Sequence, residues 1–208
     1  MALLTSDAQY AANLATLAQQ PALQPLLAQM AAMPLTNIQL FPGPTGALLG
    51  CVWDVHSKTW IPVCDLQDPI GAAEAAAAQM WSPNFTVFTM MGMGLGYAVG
   101  ALAKLLLPYQ RLVVWDSDAG LFKAMLYAMD VGDMFSGRRV EIYVGPDLLQ
   151  QIEPWHMRLE VHEKLHMAMP ISHGYTAVYR KTEYADLLTK TMNLMCFHMV
   201  GLATWRQF

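Results

Sequence analysis

The sequence predicts an α/β fold: a doubly wound, mostly parallel sheet that carries a small N-terminal α+β cap. Three observations predict it. Hydrophobic residues make up 55% of the 208 residues and charged residues only 13%, where a globular domain averages about 25% charged. After Asp68, short charge-free apolar runs alternate with helical segments, the pattern of strands buried on both faces. A glycine-rich segment joins the first of those runs to the helix after it.

Residues 6–33 read as helical. Leu14, Leu17, Leu23, Leu26, Leu27 and Met30 recur near the helical period, Ser6 or Asp7 supplies a cap, and Pro21 and Pro25 divide the stretch into two helices. Residues 37–41, 47–56 and 60–64 read as β material, the last two joined by a turn at Ser57-Lys58. Residues 1–66 are taken as the cap subdomain and residues 67–208 as the main domain. Asp68-Pro69 opens an alanine-rich helix over 72–80. A strand at 85–91, a helix at 97–107, a strand at 112–115 and a helix at 119–129 follow. Then come a strand at 140–144 and a helix from 146. The tail reads as helix over 155–167, strand over 173–178 and helix over 183–199. It ends without a helix stop signal, which suggests a fragment of a longer protein.

The most informative segment is Met91-Gly92-Met93-Gly94-Leu95-Gly96-Tyr97. Glycines between a strand and a helix let the backbone turn tightly and approach a ligand closely, and the helix N-terminus offers free N–H groups. A dinucleotide fingerprint needs a third glycine where Tyr97 or Val99 stands, so the spacing departs from the NAD pattern. Asp116 and Asp118, about 20 residues on, stand where folds of this kind bond ribose hydroxyls. Together these features point to a Rossmann-like nucleotide site with Gly92, Gly94, Gly96, Tyr97, Asp116 and Asp118 as the candidate cofactor-binding residues. The structural alternative is that the glycines only permit close helix–strand packing and that Asp118 caps the following helix.

Gly92, Gly94, Gly96, Tyr97, Asp116, Asp118, Phe122, Leu126, Asp130, Val140, Ile142 and Gly145 together form a pattern similar to the N-terminal domain of the motility-accessory-factor (Maf) family. The resemblance spans most of the chain, including the helix at 184–188, and is motif-like over 85–145. Maf proteins are flagellin glycosyltransferases. The resemblance implies a cytoplasmic, accessory Rossmann-like domain, with the downstream transferase domain and flagellin as partners and a homo-oligomer as a further possibility. It also implies that the missing transferase domain would use a CMP-activated nonulosonic acid such as CMP-pseudaminic acid. Its catalytic residues therefore have no counterparts here. Trp115-Asp116 departs from the family's Tyr-Glu-Pro. More distantly, G-x-G-x-G resembles the first motif of class I methyltransferases. The alternative function is accordingly an enzyme that binds S-adenosylmethionine at the same loop. The ligand, if the site takes one, is a nucleotide such as a CMP-sugar or S-adenosylmethionine.

Other constellations weigh less. His162-Glu163-Lys164-Leu165-His166 matches H-E-x-x-H, with Glu183 a third ligand by spacing, but Glu160 and Lys164 suit a solvated helix face. No metal site is assigned. His56, His156, His173 and His198 read as surface or core histidines. Cys51, Cys64 and Cys196, without a secretory signal before them, fit a reducing setting, with Cys51 and Cys64 as packed thiols. A net charge of −4 argues against nucleic acid. Residues 75–103 carry no charge, yet Gln79, Pro83, Asn84 and four glycines argue against a membrane span. The apolar surplus is surface meant for another domain or subunit.

Overall fold

A computed structural model describes residues 6–19, 23–31, 33–136, 139–158 and 168–205. Two helices, α1 (Ser6–Leu17) and α2 (Gln24–Ala31), precede an antiparallel sheet of β1 (Ile38–Pro42), β2 (Leu48–Asp54) and β3 (Thr59–Pro62). Lys58 turns that hairpin with φ 55°. Next come α3 (Pro69–Met80), β4 (Val87–Met91), α4 (Tyr97–Leu105), β5 (Arg111–Asp116) and α5 (Ala119–Ala128). The chain continues through α6 (Gly132–Ser136), β6 (Val140–Val144), α7 (Leu148–His156), β7 (Ala168–Ser172), α8 (Gly174–Tyr179) and α9 (Lys181–Trp205). The second sheet has the order β6-β5-β4-β7 and every pairing in it is parallel. The fold is Rossmann-like, with the small antiparallel sheet on its N-terminal side.

Period-two alternation explains why the middles of the central strands β4 and β5 carry no charge. Phe88, Met90, Leu112, Val114, Val140 and Ile142 point to one face, where they meet α3, α4 and α5. Val87, Met91, Val113 and Trp115 point to the other, against α7 and α9. With both faces covered, a polar side chain on either would be buried, so the strands read as continuous apolar runs. Two polar side chains are nonetheless buried: Thr89, whose hydroxyl accepts from the Trp115 indole N–H at 3.0 Å, and Asp116 at the end of β5.

Leu17, Leu27 and Met30 of the N-terminal helices bury in the same cluster as Phe88 and Met90. Ile38, Leu49 and Val52 of the antiparallel sheet, with Val63 just after it, pack on Leu95, Leu121 and Ala124. Asp68 caps α3, its carboxylate accepting from the Gly71 N–H at 3.0 Å, with Pro69 in the first turn.

The tail departs from expectation. The fourth parallel strand is Ala168–Ser172, and where a strand is expected over 173–178 the chain forms the helix Gly174–Tyr179. Pro170 reads as a helix stop, but β7 is an edge strand and has a solvent side on which a missing N–H costs nothing. Of the helix expected over 155–167, residues 155 and 156 are the end of α7, which runs through Pro154 to His156, and residues 159–167 lie outside the described residues. Among the described residues no helix is long and apolar enough to cross a membrane.

Candidate functional site at the carboxyl edge of the parallel sheet

In a doubly wound sheet, ligands bind beyond the carboxyl ends of the strands, where the strand order reverses. Here the reversal lies at β4, flanked by β5 on one side and β7 on the other. The loop after β4 is the glycine segment, the end of β5 and the loop after it hold Asp116–Asp118, and β7 is followed by His173. The predicted candidates therefore converge on the expected edge.

The glycine loop is folded shut. Gly92, Gly94 and Gly96 have φ of 84°, 56° and 81°, a region that side chains avoid. A Cβ on Gly94 would lie 2.4 Å from the Val63 carbonyl oxygen and 2.6 Å from His173 Cε1. The antiparallel sheet and the β7 loop thus close over the position that a ligand backbone would approach. Met93 and Leu95 are buried. Tyr97 is not aimed outward either. Its hydroxyl donates to the Leu48 carbonyl at 2.7 Å and ties the first turn of α4 to β2.

Asp116 is fully buried. Its Oδ2 accepts from the Met93 N–H at 2.8 Å, and its Oδ1 from the Asp118 N–H at 2.9 Å and the Tyr184 hydroxyl at 2.7 Å. Burial pushes its carboxyl up to about 7, with these hydrogen bonds pulling the other way. The acid after β5 thus holds the glycine loop and α9 together. His173 is buried as well, and burial pushes its imidazole down to about 4.

Asp118 does two jobs. Oδ1 caps α5 through the N–H groups of Gly120 and Leu121. Oδ2 accepts from the Tyr179 hydroxyl and from Arg180 Nη2 at 3.4 Å. Arg180 also donates to Ser117 Oγ at 3.1 Å and to Glu183 Oε2 at 2.9 Å. Burial works against that cation, but Tyr179, Glu183 and Asp118 hold it charged. Beside this cluster a cavity of about 420 Å³ opens between the β2–β3 hairpin and the start of α9. Trp53, His56, Asp118 and Arg180 line it.

The fold is similar to that of a solved structure, the MAf glycosyltransferase from Magnetospirillum magneticum AMB-1. The TM-score is 0.59 at 11% sequence identity, over 95% of this chain and 35% of that one. The chain thus spans about a third of that glycosyltransferase, and the likeness at this identity is one of fold. A second solved structure, MNMC2 from Aquifex aeolicus, is similar over 72% of this chain and 59% of its own, with TM-score 0.33 and 9% identity. No protein-family model matches the chain, and no curated protein matches it either.

The sequence-predicted residues Gly92, Gly94, Gly96, Tyr97, Asp116 and Asp118 all lie at this edge of the sheet. Val63, Tyr179 and Arg180 carry no motif and come from two other segments, so nothing in the sequence points to them. His162 and His166 lie outside the described residues, and Glu183, the third ligand by spacing, is paired with Arg180. Cys51 and Cys64 carry free thiols, and burial pushes that of Cys64 up.

Proposed function

We propose that this chain is the accessory, N-terminal Rossmann-like domain of a longer, Maf-like glycosyltransferase. In this reading residues 1–66 form the cap and residues 67–208 the main domain. Transfer of a nonulosonic acid from a CMP-sugar to flagellin is the work of a downstream transferase domain. The domain contributes a rigid docking body, and its glycine loop and Asp116 are retained as internal packing devices.

The observation that carries this reading is the closed loop. A cofactor lying on residues 92–96 needs space beside Gly94, where the Val63 carbonyl and His173 stand. It also needs an acid with an oxygen to spare, and both oxygens of Asp116 are engaged inside the protein. The same geometry weighs against the S-adenosylmethionine-binding alternative. The fold likeness to a chain of which this one matches 35% supports the place in a longer protein.

Calorimetric titration tests it. S-adenosylmethionine, S-adenosylhomocysteine, CMP and CMP-sialic acid are each expected to give no binding heat and no thermal shift. A ligand at 100 times its Kd would stabilise the fold by about 2.7 kcal/mol. Micromolar binding of an adenosyl ligand, weakened in Asp116→Asn at unchanged folding, overturns the reading and makes the loop a cofactor site.

A further inference from the structure

We propose that the cavity between the β2–β3 hairpin and the start of α9 is a binding site for a neutral pyranose sugar. This goes beyond the accessory role and does not depend on it. The site lies apart from the closed glycine loop, and its walls come from the β2–β3 hairpin, Asn37, Asp118 and the segment from Tyr179 into the start of α9.

Some polar groups of the cavity wall are engaged within the protein and others are not. Asp118 has both oxygens engaged, on the α5 cap and on Tyr179 and Arg180. Asp54 folds back on the N–H groups of His56 and Ser57. Arg180 is held by Asp118 and Glu183. These groups are wall. Among the described residues the Asn37 amide, the Thr182 hydroxyl and the Lys181 amino group have no hydrogen-bond or ion-pair partner, and all three line the cavity. An amide and a hydroxyl each donate and accept, and an ammonium donates three times. Vicinal sugar hydroxyls, themselves both donors and acceptors, match that set.

The hairpin supplies the apolar half. Trp53 lines the cavity. Trp60 pairs with it across the strands, ring centroids 5.4 Å apart at 62°, and is itself 38% exposed. An indole beside a polar cavity offers a flat apolar platform for the C–H face of a pyranose, rigid enough to cost little ordering entropy. At about 420 Å³ the cavity lies in the usual range of small-molecule sites.

Charge decides between neutral and acidic sugars. Asp54, Asp118 and Glu183 line the cavity against Arg180 and Lys181, a formal balance of −1 with His56 neutral. Arg180 is already taken by carboxylates, so an anionic ligand would have to displace one of them. A neutral sugar meets no such competition.

The test titrates the native chain and each variant calorimetrically with methyl α-D-glucopyranoside, methyl β-D-galactopyranoside and N-acetylglucosamine, and in the native chain also follows the Trp53 indole N–H resonance. N-acetylneuraminic acid and glucose 1-phosphate serve as the acidic arms. At least one neutral probe is expected to shift the resonance saturably, with the acidic probes weaker. Trp53→Ala is expected to weaken binding about tenfold, Trp53→Phe to restore most of it, and Thr182→Val to weaken it without moving the thermal midpoint. Three results would overturn the proposal: no saturable shift with any neutral probe, tighter binding of an acidic probe, or affinity unchanged in a folded Trp53→Ala variant. The accessory-domain reading fails on a different ligand set, so the two outcomes are distinguishable.

Discussion

Gly94 and Asp116 are adjacent parts of one closure, and each predicts a different failure. At Gly94 a side chain meets both an unfavourable φ of 56° and the Val63 carbonyl at 2.4 Å. The obstacle is backbone, which cannot swing aside as a flexible side chain can. Gly94→Ala is expected to cost about 3 kcal/mol or more, measured by urea unfolding. Gly145 makes the contrast. Its φ is 130° but a Cβ there meets nothing within 4 Å, so Gly145→Ala carries the backbone penalty alone and a smaller loss.

Asp116 and His173 predict a pH dependence of opposite signs. The Asp116 carboxyl is raised to about 7, above its ordinary range. Its contribution to stability is fully present below pH 3.8 and is lost as pH rises through 7. The His173 imidazole is lowered to about 4. Its contribution is present above pH 6.5 and is lost as pH falls toward 4. In the native chain the two slopes oppose each other between pH 4 and 6.5. Asp116→Asn is expected to steepen the loss of stability on acidification, and His173→Asn to flatten it. Urea midpoints at pH 4.5, 5.5 and 6.5 read both slopes. Parallel slopes in all three proteins would contradict the burial argument.

At the scale of elements, buried polar side chains join helices that are distant in sequence. Asn13 of α1 donates to the Leu126 and Met129 carbonyls at the end of α5 and accepts from the Val131 N–H. It closes a helix end that would otherwise leave carbonyls unsatisfied away from water. Asn13→Ala is expected to cost about 2–3 kcal/mol, with Asn13→Asp also destabilising because a carboxylate cannot donate to those carbonyls. Lys123 of α5 acts in the same way on the end of α2, donating to the Met30 and Met33 carbonyls. Neither role has a sequence signature: a buried Asn in one helix looks like any other until its partners 113 to 118 residues away are placed.

At the scale of the whole molecule, the N-terminal helices belong to the main core. Leu17 and Met30 are fully buried in the cluster that also holds Phe88, Met90 and Leu112. A chain starting at residue 67 would expose that face of the parallel sheet. It is expected to lose cooperative unfolding and bind hydrophobic dyes, whereas the full chain unfolds in one transition by both near- and far-ultraviolet circular dichroism. Two separated transitions in the full chain would show that the N-terminal part folds independently.

The sequence by itself determined the parallel strands β4, β5 and β6, the helices α4 and α5 between them and the place of the glycine loop. Those features rest on short-range rules. A strand covered on both faces must be apolar throughout, Asp68-Pro69 must open a helix, and glycines between a strand and a helix mark a tight turn. Even there, the edge strand at 168–172 escaped notice, because Pro170 is permissible only once the strand is known to have a solvent side. Tertiary structure alone decided whether the loop is open. Val63, His173 and Tyr184 arrive from three separate segments to close it, and Trp53, Asn37 and Thr182 meet around a cavity that no spacing announces. The reason is physical. Periodicity and capping act over a few residues, whereas occupancy of a cleft depends on which distant side chains the whole fold brings against it.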